Sequence, residues 1–279
     1  MLDNAIVKKI EDFVYSNPRS VQEIAAHIGK NWRTADRYVD RIAKEFGTIS
    51  IKIFRGGTRG ALKIVFWSSV EKVSSSIFQE QIEKEIINGK SKEDFSAFDI
   101  FQHVPNNSKK AVLEKAEVED KTNLKELADY LEKAEKQVLL FSGNLSWINL
   151  KSKDFDFLSI LNKLVKKGVI IKVLSRVDLT SFENTQTLLS LNFKNAKEMI
   201  EIRHREQPIR GLIIDNKILR IKEIKEPTGK AHELNKRTFI FYTIRDKSWV
   251  EWLSRIFWKM FSCSIDARKR IEELKNLKN

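Results

Sequence analysis

The sequence has one cysteine and no long apolar run. Because Cys263 stands alone, an intrachain disulfide is excluded and a reducing compartment is favoured. Cys263 lies among bulky apolar residues, so we expect a buried, unreactive thiol. No stretch approaches the roughly eighteen apolar residues of a membrane span, and the N-terminus lacks the basic and then apolar pattern of a signal peptide. The sequence therefore predicts a cytoplasmic protein with no membrane partner, and nothing in it predicts a cofactor or metal.

Acidic residues are outnumbered by basic ones. The 279 residues include 51 Lys and Arg against 38 Asp and Glu, giving a formal net charge of +13 at pH 7. This excess favours a polyanionic partner, because Lys and Arg that neutralise phosphates release condensed counterions. A lysine-rich solvated surface is the alternative. The positions of the charges must decide between the two.

Three helices are predicted within the first 47 residues. Asn17-Pro18 ends the first helix, since the residue before a proline is pushed out of the α region. Ser20 and Glu23 have the spacing of a capping box at the start of the second, and Asn31 is placed to cap the third. The apolar residues at helical spacing are Leu2, Ile6, Ile10, Phe13 and Val14, then Val21, Ile24, Ala25 and Ile28, then Ala35, Tyr38, Val39, Ile42 and Phe46.

A hairpin is predicted directly after the third helix. Residues 48–54 and 61–67 alternate as strands, with Ile49, Ile51 and Ile53 on one side of the first. The loop between them, 55–60, is rich in glycine and carries two arginines. Helix, tight turn, helix and then a hairpin is the order of a winged helix-turn-helix domain, whose last helix lies in the major groove of DNA.

The outer face of the third helix and the loop of the hairpin are predicted to contact double-stranded DNA. Arginine can bind guanine in bidentate fashion or hold a phosphate, and solvated arginines are the alternative for each position. Winged helices also mediate protein contacts. The residues predicted to bind DNA are Lys30, Asn31, Trp32, Arg33, Thr34, Arg37, Arg41, Arg55 and Arg59.

A helix over residues 70–88 is predicted to leave the hairpin. It either supports the hairpin against the next domain or pairs with a second copy, and a homodimer fits the symmetry with which such proteins bind two half-sites. The aromatic segment 95–101 is expected to pack on the second domain. The predicted divisions are 1–68 for the DNA-binding domain, 69–121 for the linker helix and connecting segment, and 122–279 for the second domain.

From residue 122 helices and strands alternate, which is typical of an α/β domain. Apolar runs such as the one at 169–174 indicate a sheet covered on both faces. The predicted helices are 124–134, 157–167 and 185–191, followed by C-terminal helices at 249–261 and 266–279. The predicted strands are 137–143, 169–174, 199–203, 211–215, 218–221 and 237–243.

The order "VLLFSG", "KKGVIIKVL", "IEIRH" and "PIRGLIIDNK" resembles one half of a phospholipase D-like domain. The resemblance implies a His-x-Lys-x-x-x-x-Asp motif; with its aspartate on Asp215, the lysine falls on Arg210 and the nucleophilic histidine on Pro208. His204 lies four residues too early to replace it. Proline has no group that accepts a phosphoryl group, so the sequence predicts that the chain is not an enzyme. Arg210 and Asp215 are left as a possible anion-binding site, with an ion pair between them as the alternative.

The predicted fold is thus an α+β winged helix-turn-helix followed by an α/β phospholipase D-like domain. This combination resembles the archaeal TrmB-type transcriptional regulators, and the resemblance implies a nucleoid-associated, dimeric regulator whose second domain serves an unidentified small-molecule effector or oligomerisation. Two alternatives remain: a phospholipase D-type nuclease directed by the winged helix, and an architectural DNA-binding protein of low sequence specificity.

Overall fold

The computed structural model describes residues 4–55, 61–67, 75–115, 121–152, 155–227 and 236–276. Its first part, residues 4–67, is named here the N-terminal module. Along the chain it contains α1 (Asn4–Ser16), β1 (Arg19–Ser20), α2 (Val21–Ile28), α3 (Trp32–Glu45), β2 (Ile49–Arg55) and β3 (Ala61–Trp67). The three strands form an antiparallel sheet in the order β1-β3-β2.

Local capping sets the bounds of α2 and α3. The Ser20 hydroxyl accepts from the Glu23 N–H, and the Glu23 carboxylate accepts from the Ser20 N–H at 2.7 Å, so the predicted capping box is present. Gly29 ends α2 in the left-handed conformation, with φ of 67°. The Asn31 side chain accepts from the Thr34 N–H and begins α3.

The rest of the chain builds one large sheet and its covering helices. Its elements are α4 (Ser75–Asn88), α5 (Ala97–His103), β4 (Lys109–Lys115), α6 (Lys121–Glu132), β5 (Gln137–Phe141), β6 (Lys151–Ser152), β7 (Phe155–Asp156), α7 (Phe157–Lys167), β8 (Ile170–Ser175), α8 (Phe182–Asn195), β9 (Ile200–His204), β10 (Gly211–Ile214), β11 (Ile218–Lys225), β12 (Thr238–Ile244), α9 (Lys247–Ser262), β13 (Ile265–Asp266) and α10 (Ala267–Asn276).

The large sheet has eight strands in the order β13-β9-β8-β5-β10-β11-β12-β4. Neighbours β5, β8 and β9 are parallel, and the other pairs are antiparallel. Helices α6, α7, α8 and α10 pack on one face. Helices α4, α5 and α9 pack on the other. The fold is therefore a mixed α/β sheet covered on both faces, as the apolar strands predict. In the described part of the chain, no helix is long and apolar enough to cross a membrane.

The hairpin β2–β3 contributes to two different cores. Ile49 and Val65 pack with α1, α2 and α3 in the core of the N-terminal module. Phe54, Leu62 and Ile64 lie instead in the core under α4, α5 and α9, named here the shared core. Both faces of the hairpin are therefore covered, and the N-terminal module is packed against the large sheet.

Four sequence expectations differ from the structure. Phe46 was expected to face inward but is 49% exposed, because it follows the last turn of α3. The N-terminal core reaches Ile49 and Ile51 but stops short of Ile53, which is 45% exposed. Cys263 is exposed rather than buried, because it caps the C-terminal end of α9. The edge strand β4 was not predicted at all. Of the predicted linker helix 70–88, residues 70–74 lie outside the described part.

Candidate nucleic-acid interface

Three arginines lie on one exposed face of α3. Arg33, Arg37 and Arg41 follow one another at intervals of four residues, so their side chains line up along the helix, and all three are exposed. The opposite face carries Ala35, Val39 and Ile42, which are fully buried. Arg41 Nε donates to Glu45 Oε1 at 2.7 Å. Described salt bridges do not involve Arg33 or Arg37. The helix therefore presents a row of positive charge to the outside.

The beginning of α3 is less open than the sequence suggests. Lys30 is exposed, but the side-chain oxygen Oδ1 of Asn31 already accepts from the Thr34 N–H at 2.9 Å. The Trp32 ring packs partly against the N-terminal core, and the Arg33 guanidinium carbon lies 5.9 Å from the centre of that ring. Trp32 thus supports the helix as well as bordering its outer face. Thr34 is half-buried.

Two of the predicted DNA contacts, Arg55 and Arg59, belong to the predicted loop 55–60 between β2 and β3. Arg55 is the last residue of β2, and its side chain lies outside the described part of the chain. So does the whole of Arg59.

Lys63 is a site residue that the sequence reading missed. It lies on β3, and its ammonium group is 2.7 Å from Asp36 Oδ1 and 3.0 Å from Asp40 Oδ1, both on α3. Partial burial opposes the charged form, but the hydrogen bonds that Lys63 donates to Asp36 and Asp40 raise its pKa. Through these two contacts Lys63 offsets part of the negative charge beside the arginine row. The only sequence signal was the alternation of the strand. It puts Lys63 on the face opposite Leu62 and Ile64, the two residues that face the shared core.

Arg210 is half-buried just before β10. Its Nη1 donates to the carbonyl oxygens of Gln207 and Ile209 at 2.8 Å. A Cβ at position 143 would lie 3.0 Å from its Nε and Nη2, so Gly143 leaves the space that this guanidinium occupies. Burial and the positive charge of Arg176 lower the pKa of Arg210. A guanidinium close to a like charge is suited to an anion.

Asp215 lies at the other end of β10, where its carboxylate accepts from the N–H groups of Glu135, Lys136 and Gln137 at 2.8–2.9 Å. It loses solvation there, yet these three backbone hydrogen bonds lower its pKa. The four residues of β10 separate it from Arg210, and the structure has no ion pair between the two. The alternative of an ion pair between Arg210 and Asp215 is therefore wrong. Asp215 holds the turn into β11 against the start of β5.

The positions around the phospholipase D-like motif are occupied as follows. Pro208 packs on Gly89, whose absent Cβ would lie 2.8 Å from the proline ring. His204, at the end of β9, accepts from the Val177 N–H through Nδ1 at 2.9 Å. Burial first, and then Arg270, lower the pKa of His204. Among the described residues, no three His, Cys, Asp or Glu side chains are grouped so that they could hold a metal.

Comparison with known proteins gives neighbours by structure alone. No family model and no curated protein matches the sequence. TrmBL2, described as an archaeal chromatin protein with a novel mode of DNA binding, is 16% identical, with 95% of this chain and 94% of that chain covered and a TM-score of 0.40. Nuc from Salmonella typhimurium, a phospholipase D family member, is 11% identical, with 57% of this chain and 97% of that chain covered and a TM-score of 0.39.

A third neighbour is the phosphatidylserine synthase of Haemophilus influenzae, 7% identical, with 61% of this chain and 46% of that chain covered and a TM-score of 0.41. These neighbours contradict the prediction that the chain is not an enzyme, since the phospholipase D family and the synthase are named for enzymatic activities. That prediction is withdrawn. No property of the three proteins is transferred to this chain at these identities and TM-scores.

Proposed function

We propose that residues 1–68 form a winged-helix domain that binds duplex DNA, and that the chain acts as a DNA-binding transcription regulator. The observation that carries the proposal is the row of Arg33, Arg37 and Arg41 on the exposed face of α3. The α2–α3 pair has the form of a helix-turn-helix, whose second helix enters the major groove. The hairpin that follows corresponds to the wing.

Charge distribution supports this reading over a merely solvated surface. The acidic residues Asp36 and Asp40 would repel phosphates, and Lys63 contacts both of them and offsets one of their two charges. Arg33 and Arg37 are exposed and have no described ion pair. These two arginines are therefore free to bind phosphate or the edge of guanine. A homodimer would place two such helices at half-sites one helical turn apart.

The test is duplex binding measured by fluorescence anisotropy, with a duplex selected in vitro from random sequence by the purified full chain. Arg33→Ala and Arg37→Ala are each expected to weaken binding by about tenfold or more, because a bidentate base contact contributes ~1–3 kcal/mol. Arg255→Ala is the matched control, since Arg255 is an exposed arginine on α9. Circular dichroism checks the fold of each variant. Unchanged affinity in both α3 variants overturns the proposal.

The net charge of +13 also favours a second candidate, an architectural protein that binds DNA through phosphates with little sequence preference. The two candidates differ in salt dependence and in discrimination between duplexes. A regulator is expected to bind the selected duplex at least ~10³ times more tightly than an unrelated one at physiological salt. Equal affinity for both duplexes, with a steep fall as salt increases, would favour the architectural candidate instead.

A further inference from the structure

Three aromatic residues stand together at the surface of the N-terminal module. Tyr15, in the last turn of α1, is 70% exposed, and Phe46, just after α3, is 49% exposed. The Tyr15 ring lies edge-on to that of Trp67, the last residue of β3, with the ring centres 5.2 Å apart. All three line one open groove of about 590 Å³ beside α1. Single exposed apolar side chains are ordinary, but a group of them along one groove marks an interaction surface.

Helix α1 borders this groove with the side that is turned away from the core. Its residue Ile10 is fully buried in the core of the N-terminal module. The exposed residues on the opposite side follow one another at intervals of three and four, so they form one stripe along the helix. This stripe, named here the α1 face, consists of Ala5, Lys8, Asp12 and Tyr15.

The order of residues on the α1 face is self-complementary. A second copy of α1 can lie antiparallel to the first, with a twofold axis at the level of Ile10. Lys8 of one copy then lies opposite Asp12 of the other, and Ala5 of one copy opposite Tyr15 of the other. Each contact occurs twice, as twofold symmetry requires. Opposite charges therefore face each other, and the large side chain meets the small one.

The two charges of the α1 face are available for such contacts. Lys8 and Asp12 are exposed, and the ion pairs of the described residues include neither of them. Glu11, beside them on α1, already accepts from the Thr48 hydroxyl at 2.6 Å. The face thus offers one positive and one negative side chain, and a second copy turned through the twofold axis pairs both.

The helix that could have paired with a second copy is covered within the chain. Helix α4 buries Ile82 and Ile86 in the shared core. Its Glu83 lies 2.8 Å from the ammonium group of Lys259 on α9. The apolar side of α4 is therefore already used, whereas the groove beside α1 is open.

We propose that the α1 face joins two copies of this chain in an antiparallel α1–α1 dimer, with Phe46 and Trp67 covering its flank. Lys8 of each copy pairs with Asp12 of the other, and Tyr15 packs against Ala5 of the other. The self-association does not rest on the function proposed above, but its consequence for DNA does. Because Phe46 directly follows α3, the interface would bring the C-terminal ends of two arginine-bearing helices towards one twofold axis.

Self-association is tested by sedimentation equilibrium of the full chain from ~1 to ~100 μM, where a reversible dimer is expected. Tyr15→Ser should weaken association by about tenfold or more, because a tyrosine at the centre of an interface contributes much of its affinity. Phe193→Ser is the matched control, since Phe193 is 74% exposed on α8. A parent chain that stays monomeric, or a folded Tyr15→Ser variant that associates like the parent chain, overturns the proposal.

Charge reversal tests the register of the two helices. Lys8→Asp and Asp12→Lys each put like charges opposite one another in a homodimer, so each should weaken self-association by about tenfold or more. Mixed in equal amounts, the two variants should associate with each other, because opposite charges then face at both contacts. Lys269→Asp, at an exposed position on α10, is the control and should associate like the parent chain. Failure of the mixture to associate, with both variants folded by circular dichroism, overturns the proposed pairing.

The two proposals fail separately. If Tyr15→Ser is monomeric while Arg33→Ala and Arg37→Ala leave duplex binding unchanged, the dimer surface stands and the DNA-binding proposal fails. If both arginine variants lose duplex binding while Tyr15→Ser and the charge variants stay dimeric, the DNA-binding proposal stands and the dimer surface is wrong.

Discussion

Lys63 shows how a residue can serve the proposed DNA-binding surface without pointing at DNA. Its ammonium group lies between Asp36 and Asp40 on α3, close to the arginine row. Removing it would leave two unpaired carboxylates beside the phosphates of a bound duplex. The effect would be electrostatic, so it should weaken as salt increases.

We predict that Lys63→Met lowers duplex affinity by about tenfold at low salt, measured by fluorescence anisotropy. Adding Asp36→Asn and Asp40→Asn to the same chain should restore most of the affinity, because the repelling charges are then absent. Lys247→Met is the control, since that side chain is 85% exposed and lies on α9. A triple variant that binds as weakly as Lys63→Met would mean that Lys63 contacts DNA directly.

The contacts of single residues could be predicted where they depend on neighbours in the sequence. The Ser20–Glu23 capping box and the Asn31 cap depend on residues three apart, and both are present. The partners of Lys63 lie more than twenty residues away, and no local rule indicates them. The same holds for Arg210. It is close to Asp215 in the sequence, but strand β10 lies between them and separates the two side chains.

At the scale of elements, the hairpin β2–β3 is the piece whose packing matters most. Phe54 lies in the shared core, with its ring centre 6.0 Å from that of Phe98 and 6.2 Å from those of Phe101 and Tyr242. It is 7% exposed, whereas its neighbour Ile53 is 45% exposed on the other face. Adjacent residues of one strand therefore contribute very differently to stability.

We predict that Phe54→Ala lowers the free energy of unfolding by ~3–5 kcal/mol, the usual cost of removing a buried phenyl ring. Ile53→Ala is the matched control and should cost less than ~1 kcal/mol, because its side chain is largely exposed. Urea denaturation followed by circular dichroism measures both. Similar losses in the two variants would contradict the packing of the hairpin against α5 and β12.

Elements were predictable where an apolar pattern was strong. The helices of the N-terminal module, both strands of the hairpin and the buried strands β5, β8 and β10 were found close to their observed positions. Strand β4 was missed because its sequence, KKAVLEK, is rich in lysine. It is extended because it pairs with β12, more than a hundred residues later, from Lys109 with Ile244 to Lys115 with Thr238. Such pairing leaves no mark in a local pattern.

For the whole molecule, the main consequence is that the N-terminal module and the large sheet share one core. Phe54, Leu62 and Ile64 pack in the same cluster as residues of α4, α5, β12 and α9. Lys225 on β11 also reaches Glu23 on α2. The divisions at 1–68, 69–121 and 122–279 stay a prediction. The shared core could not be predicted with them, because the sequence does not show which elements cover the second face of the hairpin.

We predict a single cooperative thermal transition for the full chain. Loss of the N-terminal module alone would expose the hairpin side of the shared core, so the two parts should unfold together. Differential scanning calorimetry should give equal calorimetric and van't Hoff enthalpies, and the transitions by tryptophan fluorescence and far-ultraviolet circular dichroism should coincide. Two resolved transitions, in either signal or in the calorimetric trace, would contradict this.

The two-sided burial of the hairpin also limits how the protein can be engineered. A fragment ending at Trp67 and grafted onto another chain would carry Phe54, Leu62 and Ile64 as an uncovered apolar face, which favours aggregation. A chimaera would need the segment through α5 and a surrogate for β12 as well. Under the proposed function, a change of DNA specificity is therefore better sought by substituting Arg33, Arg37 and Arg41 in place than by exchanging the unit that bears them.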